Sequence, residues 1–227
     1  MMHTERLIRA AGLATLVGSA LLALFPLAHP NHDPAGFTSW RWIPAHLLAH
    51  LAAIAYLFGL PALYVRQGER NGWVGLAGYV LATLGTAQLL MVAWVELFVM
   101  PFIALRFPAL TDTPPPGVDV AAMLMQASLA VGYSVLGLGV VRAGVLPRGA
   151  GLLLVIAAPL FGLGDLLVQV VAPGAMIDTF VPATELFAVA MGALGLALWR
   201  GQGARQQARA GAGAVPGLGG ARLEANA

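Results

Sequence analysis

WVGLAGYVLATLGTAQLLMVAWVELFVMP, residues 73–101, is one unbroken apolar run with a single ionisable side chain, Glu96. A hydrocarbon core about 30 Å thick is crossed by about 20 helical residues, so this run is longer than a span needs and is expected to tilt or project. Outward from it lie five further apolar blocks, at about 7–28, 44–65, 118–141, 149–171 and 180–199. Pro and Gly mark the joints, at His29-Pro30, Asn71-Gly72, the run Pro114-Pro115-Pro116-Gly117, Pro147 and Pro173-Gly174. The pattern predicts an all-α fold, a polytopic membrane protein whose residues 1–200 form a six-transmembrane-helix bundle. The Gly/Ala-rich stretch 201–227 has too little apolar content for a core and is expected to be a disordered tail.

Composition agrees, with 59% hydrophobic and 10% charged residues among 227, against roughly 25% charged in an average soluble domain. The chain has no cysteine and no lysine. Thiolate-held clusters, disulfide exchange and c-type haem attachment are therefore excluded, as is a Schiff base to retinal or pyridoxal phosphate. All twelve cationic side chains are arginines, and their placement sets the orientation. Arg6, Arg9, Arg66, Arg70, Arg142, Arg148, Arg200, Arg205, Arg209 and Arg222 fall on one side of the six blocks, and only Arg41 and Arg106 on the other. Segments flanked by arginine stay in the cytoplasm. This places the protein in the inner or plasma membrane with both termini cytoplasmic, and the net charge of +2 reflects this flanking rather than nucleic-acid binding. The first block has the basic start of a signal peptide but lacks a small-x-small cleavage site, so it is read as a retained helix.

Ionisable groups are costly in hydrocarbon and mark functional positions. His46, His50, Glu96, Asp165 and Glu185 all fall in the outer half of their helices, and the adjoining loop adds His29, His32 and Asp33. At about 100° per residue, Glu96 shares a face with Gly78 and Gly85, Asp165 with Ala158, and Glu185 with Ala188 and Gly192. Small residues mark helix contact faces, so the carboxyls are expected to point inward. Histidines at i and i+4 can offer two nitrogens to one ion while a carboxylate supplies oxygen. The predicted site is an outward-facing pocket of these residues binding a divalent metal ion (Zn, Fe or Mn) or a small polar ligand. Bis-histidine haem is disfavoured, because His46 and His50 share one helix and no other block carries a histidine. Two other readings remain: a structural or accessory membrane subunit whose polar groups only pin helices, and a proton-coupled small-solute transporter. The inner half offers no ionisable group to continue a transport path. Trp40, Trp42 and Phe37 on one side, and Trp73 and Trp199 on the other, are expected to form interfacial belts. The pairs Ala14/Gly18, Ser128/Gly132, Ala158/Gly162 and Ala188/Gly192 predict tight packing within the bundle or a homo-oligomer.

The segment RAGVLPRGAG at 142–151, and the run 44–67 with its Leu-Tyr-Val-Arg-Gln ending, resemble stretches that recur in uncharacterised six-helix integral membrane proteins of GC-rich bacteria. That resemblance implies the fold and no activity. Membrane zinc hydrolases of the ceramidase and progestin-receptor-like superfamily share the intramembrane His-x-x-x-His and acidic residues. They differ in helix number and in a third histidine on another helix, for which only His29 or His32 could stand in. If the protein is an enzyme, that likeness implies a metal-dependent intramembrane hydrolase.

Overall fold

The computed structural model describes residues 2–112, 116–171 and 179–201, and these are helical with short connections and no strand. The helices are α1 (Met2–Ala28), α2 (Pro34–Phe37), α3 (Trp42–Gln67), α4 (Gly72–Phe98), α5 (Met100–Arg106), α6 (Ala109–Asp112), α7 (Pro116–Ala143), α8 (Arg148–Val171) and α9 (Phe180–Trp199). Residues 202–227, assigned to the tail, lie outside the described residues.

Four stretches are long and apolar enough to cross a membrane: His3–Ala28, Trp42–Phe98, Val120–Ala143 and Phe180–Trp199. The second runs for 57 residues and consists of α3 and α4 with a 3-10 turn, Gly68–Asn71, between them. Within α8, Leu163 has non-helical angles (φ −130°, ψ 17°) one turn after Pro159. Large apolar side chains such as Leu7, Phe58, Leu105 and Val170 stand exposed. Helices of this length carrying such a surface indicate a membrane location.

The long helices close into a ring in chain order. Helix α1 packs on α3, α3 on α4, α4 on α7, α7 on α8, α8 on α9, and α9 returns to α1. The ring forms because its contact faces are nearly bare backbone. A Cβ on Gly132 would meet the Ala82 backbone and one on Gly78 the Leu136 backbone, while Gly12 lies against α9 and Gly151 against Gly137. Gly18, Gly162 and Gly192 likewise face α3, α7 and α1, so these small-residue positions pack inside the chain.

The turns between helices depend on glycine in two places. Gly68 ends α3 at φ +55° and Gly144 follows α7 at φ +64°, left-handed values that a side chain disfavours. Aromatic rings fill the middle of the ring. Phe187 packs edge-on against Tyr56 (6.1 Å) and Tyr133 (4.8 Å) and stacks on Phe161 (4.6 Å). The phenol groups are paired, Tyr56 donating to Ser19 Oγ at 3.2 Å and Tyr133 lying 2.7 Å from Thr86 Oγ1.

One end of the ring carries arginines. Arg66, buried at the end of α3, places Nη2 2.8 Å from both carboxylate oxygens of Glu5 on α1, and Arg9 donates from Nε to the Trp199 carbonyl at 2.8 Å. The other end carries histidines. Trp40 is exposed there and Trp73 at the arginine end, as interfacial anchors would be, but Phe37 and Trp42 are buried. They belong to a small separate core with Ala104, not to a belt, because the first connecting loop folds back over the ring.

Candidate functional site

The site is shaped by how the chain leaves α1. His29 extends the last turn, its N–H donating to the Phe25 carbonyl at 2.9 Å, and Pro30 prevents the helix from continuing. Asp33 then caps the short helix α2. Its Oδ1 accepts from the Gly36 N–H at 2.7 Å, with Pro34 at the first helical position. Gly36 has no room for a side chain because the Asn31 carbonyl lies against it. Held this way, α2 presses Phe37 edge-on against Trp42 (4.8 Å). Trp42 in turn donates from Nε1 to the Glu96 carbonyl at 2.6 Å. That carbonyl sits in the last turn of α4, where intrahelical donors run out, so one indole N–H fixes the height of α4 against α3.

The lid brings His29 and His32 to His46 and Glu96. His29 Nε2 and His46 Nε2 are 3.3 Å apart, and their rings meet edge-on with centroids at 4.9 Å. His46 Nδ1 lies 2.9 Å from the Trp42 carbonyl. A carbonyl only accepts, so Nδ1 carries the proton and Nε2 the lone pair, an assignment made from the hydrogen-bond partner. His29 completes the pair as the N–H donor. The His29 pKa is lowered to about 4 by burial first and by its neighbours His46 and His32 next, with the Pro30 backbone and Glu96 opposing. At neutral pH His29 is therefore an uncharged imidazole. His32 stacks parallel to His29 at 6.2 Å and places Nε2 3.6 Å from Glu96 Oε1. Glu96 Oε2 is buried and has no hydrogen-bond partner.

Of the residues singled out in the sequence, His29, His32, His46 and Glu96 come together. Asp33 faces its own helix as a cap. His50 lies one turn, about 6 Å, deeper than His46; its Nδ1 is buried without a partner, as is Gln88 Oε1 on α4. Glu185 is half-buried on α9, apart from the four. The Asp165 side chain lies outside the described residues. Among the described residues no three His, Asp or Glu side chains converge on one point as they stand. Two nitrogens already face each other, and His32, 59% exposed in its side chain, lies edge-on against Phe37 at 4.9 Å. The scaffold residues Trp42 and Phe37 escaped the sequence reading, which saw them as interfacial anchors. The Asp33-Pro34 helix start was the signal that the loop is folded. No protein-family model matches the chain, and no curated protein and no solved structure matches it either.

Proposed function

We propose that this is a six-span protein of the inner or plasma membrane, with α1, α3, α4, α7, α8 and α9 as its spans and both termini cytoplasmic. In this reading it binds one divalent transition-metal ion at its outward face. The orientation is supported by the arginines at the ends of α3, α7 and α9 and the start of α1.

The observation that carries the metal reading is the pair of imidazole nitrogens at 3.3 Å. Two ligands of one tetrahedral ion, each at a metal–nitrogen distance of about 2.0–2.1 Å, are separated by about 3.3 Å. The outer nitrogen of His46 is bonded to a backbone carbonyl, the arrangement that orients a metal-bound imidazole. His29 stays uncharged at neutral pH, as a ligand must. His32 Nε2 and Glu96 Oε1 supply the third and fourth positions by side-chain rotation, which would also give the orphaned carboxylate a cation. The nitrogen and carboxylate donor set suits zinc, iron or manganese. Of the sequence-derived set, the loop contributors His29 and His32 join His46 and Glu96 in this reading, while His50 and Glu185 stand apart.

Elemental analysis of the full-length protein, purified in detergent without added metal or chelator, tests this. One equivalent of zinc, iron or manganese is expected, and less than a tenth of that in a His29→Ala/His46→Ala variant of unchanged helical content. Metal-free wild type that still rebinds none would leave the two imidazoles as a structural hydrogen bond and favour the accessory-subunit reading.

A further inference from the structure

A second site, independent of the metal reading, lies where α8 breaks. A cavity of about 240 Å³ is lined by Phe25, Leu89, Met125, Gln126, Phe161 and Thr184. Phe25 forms a partition, since its ring also touches His29 (5.0 Å) and His46 (5.7 Å) on the far side.

Two features of this cavity are unusual for an apolar bundle. The first is Thr184, 1% exposed, whose hydroxyl has no hydrogen-bond partner. Three other helical threonines turn their hydroxyl back to the carbonyl four residues earlier: Thr15 to Ala11 (2.9 Å), Thr83 to Tyr79 (2.7 Å) and Thr86 to Ala82 (2.7 Å). An unmet buried hydroxyl is costly, so Thr184 is held open where those threonines are closed. The second is the backbone of α8. Pro159 cannot donate to the Val155 carbonyl, which accepts instead from Ser134 Oγ at 3.5 Å, and Leu163 departs from helical angles alongside the cavity. Irregular backbone at membrane depth is tolerated where it lines a cavity or is buried in protein.

We infer that this cavity binds one small uncharged molecule with an apolar body and a single hydrogen-bonding head. The size follows from comparison, since a dry cavity of about 150 Å³ holds benzene; this one takes a single ring with a short polar substituent. The molecule is uncharged because no described lining residue is ionisable. Its head meets Thr184 Oγ1, and its body fills the space between Met125 and Phe161.

The native chain has no cysteine, so Met125→Cys introduces a lone thiol that reports occupancy. In detergent-purified full-length protein, benzyl alcohol should slow modification of that thiol by a small water-soluble reagent at least fivefold and saturably. A lipid-facing Leu7→Cys thiol should show no such protection. Adding Thr184→Val should raise the half-protecting concentration about five- to tenfold, the value of one hydrogen bond. Toluene should protect weakly, and equally with or without Thr184→Val. Should Met125→Cys fail to fold, Leu129→Cys carries the same test from the same wall. Absence of saturable protection, or protection untouched by Thr184→Val, would overturn the inference. So would a co-purified lipid that native mass spectrometry finds on every molecule and that benzyl alcohol does not displace, since an acyl chain would then own the cavity.

Discussion

The two ends of the ring both bury polar groups, but of different kinds. At the arginine end, Arg66 is 4% exposed in its side chain and is neutralised by Glu5. The unmet atoms there are Arg66 Nε, Gln67 Oε1 and both amide atoms of Asn71. That is a mixture of donors and acceptors, which water can serve. At the histidine end the unmet atoms are Glu96 Oε2, Gln88 Oε1, His50 Nδ1 and Thr184 Oγ1, and the His46 Nε2 lone pair meets a second imidazole. A carboxylate oxygen only accepts and so calls for a donor or a cation, whereas the mixed set at the arginine end calls only for hydration. The first end holds helices together, and the second carries the proposed cation site.

The difference can be broken at either end. The largest effect is expected from His46→Ala, which removes one of the two facing nitrogens and should weaken zinc binding at least a hundredfold. The neighbouring shell alone is worth about 10–100-fold; isothermal titration of metal-stripped protein would measure the change. Next comes Glu5→Ala at the opposite end. Removing one partner of a buried pair costs about 3–5 kcal/mol, and because Glu5 is 37% exposed a loss of about 2 kcal/mol is expected after allowing for solvent screening. Thermal unfolding should record it, with zinc affinity unchanged.

A smaller effect, specific to the histidine end, is the pH dependence of stability. The folded pKa of His29 is about 4 against an ordinary 6.5, so between these values the unfolded chain binds more protons than the folded one. Stability should be level above pH 6.5, fall as the pH drops towards 4 and level off below it; His29→Gln should flatten that slope in a pH series of melting curves. The smallest change is expected from Asp33→Ala, which removes the cap of α2 at a cost of about 1 kcal/mol. Its readout is faster zinc release, because the lid is loosened while the nitrogens stay.

Much of the fold was legible because hydrocarbon imposes a length and proline and glycine impose the joints. The apolar stretches and the all-helical class follow from that. The run 73–101 was read as one long element, whereas α4 stops at Phe98 and the chain restarts as α5; the indole of Trp42 closing the Glu96 carbonyl is a contact between distant residues that no local pattern contains. The site was legible in part for a similar reason. Helical spacing put His46 and His50 on one face, but a shared face is not a shared point, and one turn of rise separates them. His29 and His32 could be named only as loop contributors, since their aim depends on Asp33 capping α2 and on Phe37 seating against Trp42. Arg66 read as a membrane-flanking charge; its burial against Glu5 is again a tertiary fact. Pro159 hinted at the break in α8, but the open hydroxyl of Thr184 left no mark in the sequence.

The most direct measurement is equilibrium zinc binding to metal-stripped full-length protein, run side by side on wild type, His29→Ala/His46→Ala and Glu5→Ala. One site is expected in wild type and in Glu5→Ala with the same affinity, and none in the double histidine variant. Equal binding in all three proteins, or no binding in any, would contradict the assignment of a cation site to the histidine end.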